Sequence, residues 1–279
     1  MPIHDQSYRR YGGGRAALGQ AWLVIAQAGI MTMLRKRIFL GLLVGSWVPF
    51  VIRAVQIYLA ANYPQFSVIA PTAETFRQFL AQQDFAVFIM TIYAGAGLIA
   101  NDRRANALQI YLSKPLMRTE YIAGKGAVLF TFILFITLVP AVLLLLLQVA
   151  FAGRFDFLLK NLFLFPAITV AALLEALLCT CAMLALSSLS NSSRYVGILY
   201  AGIVFFTAAI SGVMVAITGN TRLSWLSLGG NLTQVMDVIF RLKPRYATPW
   251  PVSLIVILGL IALSMSVLER RVRGVEIVT

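Results

Sequence analysis

Six long blocks of apolar residues, spaced along the whole chain, decide what this sequence can fold into. Each approaches the roughly 20 residues a helix needs to cross a hydrocarbon core. Lipid offers no hydrogen-bond partners, so a spanning backbone must satisfy itself, as helices or as a closed barrel. Barrel strands alternate apolar and polar residues over about 10 positions. Stretches such as 143–147 and 201–210 show no alternation, so the spans are expected to be helices. Composition agrees: 60% of the 279 residues are hydrophobic and 12% charged, against about half and about a quarter in soluble domains. The expected fold class is an all-α integral membrane protein with six transmembrane helices near residues 38–60, 85–100, 126–150, 162–186, 195–217 and 251–268. Gly95 and Gly97 in the short second block would permit close helix packing.

The net charge of +13 could suggest a nucleic-acid partner, but its placement argues for none. The Lys and Arg residues cluster at the ends of the apolar blocks, where they set topology. With the N-terminus cytoplasmic, the inner segments carry 15 basic residues and the outer ones 7, with Arg53 inside a span. Both termini are therefore expected to be cytoplasmic, in a multi-pass protein of the cell's inner (plasma) membrane. The 218–250 segment dissents, carrying four of the seven outer charges, but long segments translocate with less regard to charge. The chain divides into a tail and interfacial helix (1–37), a six-span domain (38–268) and a cytoplasmic tail (269–279). No cleavable leader is expected, because a polar, basic lead precedes the first block near Ile38. One His and two Cys cannot build a His-rich or Cys-rich metal site. Cys179 and Cys181, two apart on a helix, point away from each other and read as small core residues.

Two segments carry helical stripes short of a span. Leu18, Trp22, Ile25, Gly29 and Met33 recur at three- and four-residue steps before Arg35-Lys36-Arg37. That pattern suits an N-terminal amphipathic helix on the anionic inner interface, touching membrane lipids. Leu232, Val235, Met236, Ile239 and Phe240 form a second stripe after Gly229-Gly230. Burial against the protein's own helices is the competing expectation for both. Two charges fall inside spans, Arg53 and Glu175, at depths of roughly 22 and 17 Å from the inner surface at 1.5 Å per residue. An intramembrane charge needs a partner or water, so an ion pair between the first and fourth spans is one expectation. The other is that Arg53 snorkels outward while Glu175 is protonated or faces a polar cavity.

The polar stretch 101–125, between the second and third blocks, is the most informative. Asn101 or Asp102 can cap a short helix that places Ala105, Leu108 and Leu112, with Tyr111 beside them, on one face. Pro115 ends it by forcing Lys114 out of the helical region. A short cytoplasmic helix with exposed apolar knobs fits a groove on another protein. The run Leu108, Leu112, Ser113, Pro115, Leu116, Arg118, Tyr121, Gly124 and Lys125 resembles, with its spacing intact, the segment after the second span in permease subunits of the type-two ABC exporter superfamily. At the helix start Arg104, Ala105 and Asn106 replace that family's frequent acidic residue and Gly-Thr pair.

The resemblance implies that this segment is a coupling helix contacting a cytoplasmic ABC ATPase through Ala105, Leu108, Tyr111, Leu112, Pro115 and Arg118. Arg118 could serve equally as a headgroup anchor. It also implies a second permease, a copy or a paralogue, and a transport subunit rather than an enzyme. No cofactor is expected on this chain, with ATP bound by the partner. The sequence holds no Gly-x-x-x-x-Gly-Lys-Ser/Thr loop for phosphate: Gly124-Lys125 runs into Gly126, and Gly12-Gly13-Gly14 precedes no strand–helix unit. A membrane scaffold and an intramembrane enzyme are the alternatives. The enzyme lacks a base or nucleophile constellation, since His4 lies in the tail and Glu175 is the only acid well inside an expected span. The substrate is not encoded in any motif.

Overall fold

The computed structural model describes residues 20–107, 117–152 and 161–272. Their regular elements are all helical. Six helices are long and apolar enough to cross a membrane: Arg37–Asn62, Ala73–Arg104, Arg118–Phe151, Leu164–Leu189, Ser193–Thr218 and Trp250–Arg271. They are numbered spans one to six. Spans two, three and four form the centre, with 56%, 56% and 67% of their apolar windows buried, against 11% for spans one and five and 17% for span six. Phe39, Met90, Leu129, Ile133 and Met183 fill one end of the core, and Ile57, Phe79, Ile168 and Phe240 the other.

Small residues set how closely the central helices approach, as they do when lipid removes the hydrophobic drive between helices. A Cβ on Gly95 would stand 2.5 Å from Met183 Cγ and 2.8 Å from Leu129 Cδ2. Gly95 is therefore the contact point of spans two, three and four. Gly124 does the same for helix α1, Ala21–Leu34: a Cβ there would lie 2.8 Å from Ile25 Cβ and 2.9 Å from the Trp22 carbonyl oxygen. From Trp22 on, the α1 stripe thus packs on span three, with Met33 in the core and Ile25 partly buried against it; Leu18 lies outside the described residues. Its other side still exposes Leu23, Val24 and Met31, so α1 is apolar on both faces and less two-sided than its stripe suggests.

Span one is two helices, Arg37–Gly45 and Val48–Asn62. Pro49 at the second position of the later helix has no N–H and cannot continue the earlier one. The break frees carbonyls inside the span, and Gln83 Nε2 of span two donates to the Ser46 carbonyl at 3.1 Å.

Span two begins at Ala73, not near Phe85. Its first turns are too polar to read as a span, but its polar side chains find partners. Arg53 of span one donates to the side-chain carbonyls of Gln56, Gln78 and Gln82, at 2.8, 3.3 and 3.2 Å. Arg77, counted above as an outer-loop charge, lies inside this helix at 1% exposure. Its Nε meets Asp237 Oδ1 at 2.6 Å. Asp237 belongs to helix α2, Leu228–Ile239, where Val235, Met236 and the following Phe240 are buried against the protein's own helices. Asp237 also accepts from the Arg245 backbone N–H at 3.3 Å. The 218–250 segment is thereby locked onto span two.

Removing one member of a buried pair strands the other's charge, at a cost of about 3–5 kcal/mol. Asp237→Ala should therefore lower thermal stability in detergent by that order. The double variant Arg77→Met/Asp237→Leu should recover most of the loss. An Asp237→Ala protein as stable as the wild type would show that the pair does not hold the segment.

Candidate functional site

The ends of spans two, three and four meet at the end of the bundle that carries Arg103, Arg104, Arg118 and Lys125. Span two loses regular α-helix here, through a π-turn at Thr91–Gly95 and a break before Ala100–Arg104. A broken turn in lipid leaves backbone groups unsatisfied. One side chain of span four repairs it. Ser187 Oγ accepts from the N–H groups of Ile99 (3.1 Å) and Ala100 (3.0 Å) and donates to the Ala96 carbonyl (2.9 Å). That uses the full capacity of a hydroxyl, one donor and two acceptor sites, and Ser187 is 0% exposed. Arg103 Nη1 donates to the Ser188 carbonyl, so span two is tied to span four twice.

Span two is tied to span three by Asp102. Its Oδ2 accepts from Tyr121 Oη at 2.7 Å and pairs with Lys125 Nζ at 2.6 Å. Tyr121 and Lys125 stand four apart, on one face of span three, and the Lys125 ammonium lies 5.7 Å from the Tyr121 ring centre. At the start of span three, Glu120 accepts from the Met117 N–H at 3.1 Å, satisfying a free N-terminal donor. At the end of span two, Asn106 takes a left-handed conformation, φ 52°, which Asn tolerates better than most residues, and so ends the helix. The chain leaves one span and enters the next with both ends clamped together.

The expected coupling residues stand as follows. Ala105 is the residue after the last turn of span two, its N–H bonded to the Asn101 carbonyl at 3.0 Å. Arg118 opens span three and is exposed. Leu108, Tyr111, Leu112 and Pro115 lie outside the described residues. Asn101 and Asp102 do not cap a separate helix. They sit within span two, the Asn101 N–H bonding the Gly97 carbonyl at 3.2 Å, and Asp102 serves as the clamp's acceptor.

The expected Arg53–Glu175 ion pair does not form. Arg53 is occupied by its three glutamines, and Glu175 is 2% exposed with Oε2 unbonded. Local sequence pattern does not bring out the glutamines of span two that take the guanidinium, nor Ser187, nor the role of Asp102. The available signals were a serine pair ending an apolar block and a lone acid among basic residues.

The family model described as ABC-2 family transporter protein matches residues 23–271. The chain belongs to that family, and is a multi-pass membrane subunit of the permease type. Among curated proteins no match is found.

The clamp yields a direct test. Asp102→Ala removes the carboxylate that Tyr121 and Lys125 share and should cost about 1–2 kcal/mol of stability. In a double-mutant cycle with Lys125→Ala, thermal melts should show a coupling of about 1 kcal/mol. Strict additivity would mean that the two spans are not joined through this pair.

Proposed function

We propose that the chain is the membrane-spanning permease of an ATP-binding-cassette exporter, driven by ATP hydrolysis on a separate cytoplasmic ATPase subunit. Family membership supports the permease role. The observation that carries the coupling step is the clamp formed by Asp102, Tyr121 and Lys125. The two span ends that flank residues 108–116 in the chain are held together at one point, and span two is bonded on into span four. A push on such a segment moves three spans as a unit instead of being absorbed by a loose loop.

In this reading the clamped end faces the cytoplasm, with both termini, because the basic residues concentrate there. Leu108 and Leu112 insert in a groove of the ATPase, and Ala105, Tyr111, Pro115 and Arg118 shape and anchor the segment around them. A second permease, identical or paralogous, completes the transporter, in the inner membrane. The chain supplies the path, and its partner binds ATP.

Leu108→Asp and Leu112→Asp each place a charge in an apolar contact, at an expected cost on the order of a few kcal/mol. Both variants should insert normally in the membrane and lose co-purification with the ATPase subunit, together with transport. Full assembly and transport in both would remove this segment from the coupling role.

A further inference from the structure

A groove of about 660 Å³ opens between spans two and five, at the same end of the bundle as the clamp. Its mouth is polar and basic: Lys36, Asn101, Ser193 and Arg194 line it. Lys36 precedes the first residue of span one, and Arg194 is the second residue of span five, so both cations sit where spans emerge from the bilayer. Among the described residues no carboxylate lines the groove. Neither cation belongs to an ion pair among the described residues. Lys36 has only the Met33 sulfur at 3.5 Å and the Tyr93 ring at 5.9 Å. The nearby acid Asp102 is taken by Lys125.

The rest of the groove is apolar and runs into the membrane. Ile92, Ile198 and Ala201 line it, and Ala201 lies eight residues beyond Ser193, roughly 12 Å deeper at 1.5 Å per residue. Gly197 is buried in its floor, keeping the wall thin. A cationic mouth at headgroup level over an apolar channel has the shape and polarity of a single lipid.

We propose that this groove is a binding site for one anionic phospholipid. The phosphate lies between Lys36 and Arg194, and an acyl chain runs along Ile92, Ile198 and Ala201. Two uncompensated cations favour an anionic headgroup over a zwitterionic one, as basic pockets between spans do. A soluble protein could meet the cations but not a floor set roughly 12 Å deeper than the mouth along span five, and a free phosphate would make no use of that floor.

The test uses the full chain in nanodiscs of equal phosphatidylglycerol and phosphatidylcholine, with the lipids that stay bound counted by native mass spectrometry. The wild type should retain phosphatidylglycerol preferentially, and inorganic phosphate should not displace it. Lys36→Gln and Arg194→Gln should each lower the preference about fivefold. Ala201→Trp, which fills the apolar channel and leaves both charges, should lower retention as well. Arg270→Gln/Arg271→Gln, at another basic span end, should change nothing. An unaltered preference in Lys36→Gln/Arg194→Gln overturns the site, as does displacement by phosphate alone. Should the double charge variant fail to fold, Ala201→Trp and the single variants decide.

Discussion

Lipid gives a broken helix nothing to bond with, and this bundle contains two broken spans. Span one parts at Ser46-Trp47 ahead of Pro49, and span two unwinds between Thr91 and Ala100. Each break is answered from a neighbouring helix, by Gln83 on the Ser46 carbonyl and by Ser187 on three backbone groups at once. These repairs do more than offset a cost. They fix which helix each break faces, and so they join spans one to two and two to four at defined points. Between these polar joints the helices meet through apolar contact, with the close approach at Gly95 setting the distance of spans two, three and four.

Polar fastening thus occurs at opposite ends for different purposes. At the end away from the clamp, Arg77 and Asp237 pin the 218–250 segment to span two, both side chains only 2% exposed. At the basic end, Asp102 pairs with Lys125, their side chains 18% and 17% exposed, and accepts from the buried Tyr121. The first is a buried pair and has strict geometry. The second borders water, where an ion pair is weaker and more readily rearranged. The two fastenings therefore differ in how freely they can rearrange, the buried one less than the one at the basic end.

Much of this was legible in the sequence. Continuous apolar blocks fixed the helical class and the number of spans, because length and hydropathy act alone there. The run from Leu108 to Lys125 pointed to the family. What escaped depends on partners distant in sequence. Span two was drawn too short since Glu74, Arg77, Gln78 and Gln82 look like a loop until Asp237 and Arg53 are placed beside them. Arg53 was matched to Glu175 on depth alone, although three amides on its own and the adjacent helix were nearer. The α1 stripe showed which face is buried, but not that the opposite face is apolar too. Ser187 carried no signal by itself, since its role exists only because another helix unwinds next to it.

Span two is joined to span four through Ser187, which ties the clamped end into one body. Amide hydrogen exchange in Ser187→Ala measures this most directly. Without the hydroxyl, the Ile99 and Ala100 amides lose their acceptor, worth about 1–3 kcal/mol. Their exchange should then accelerate by roughly one to two orders of magnitude, with amides near Phe79 and Leu80 at the far end unchanged. Equal exchange at Ile99 and Ala100 in the variant and the wild type would contradict the account, because those groups would then be satisfied without span four.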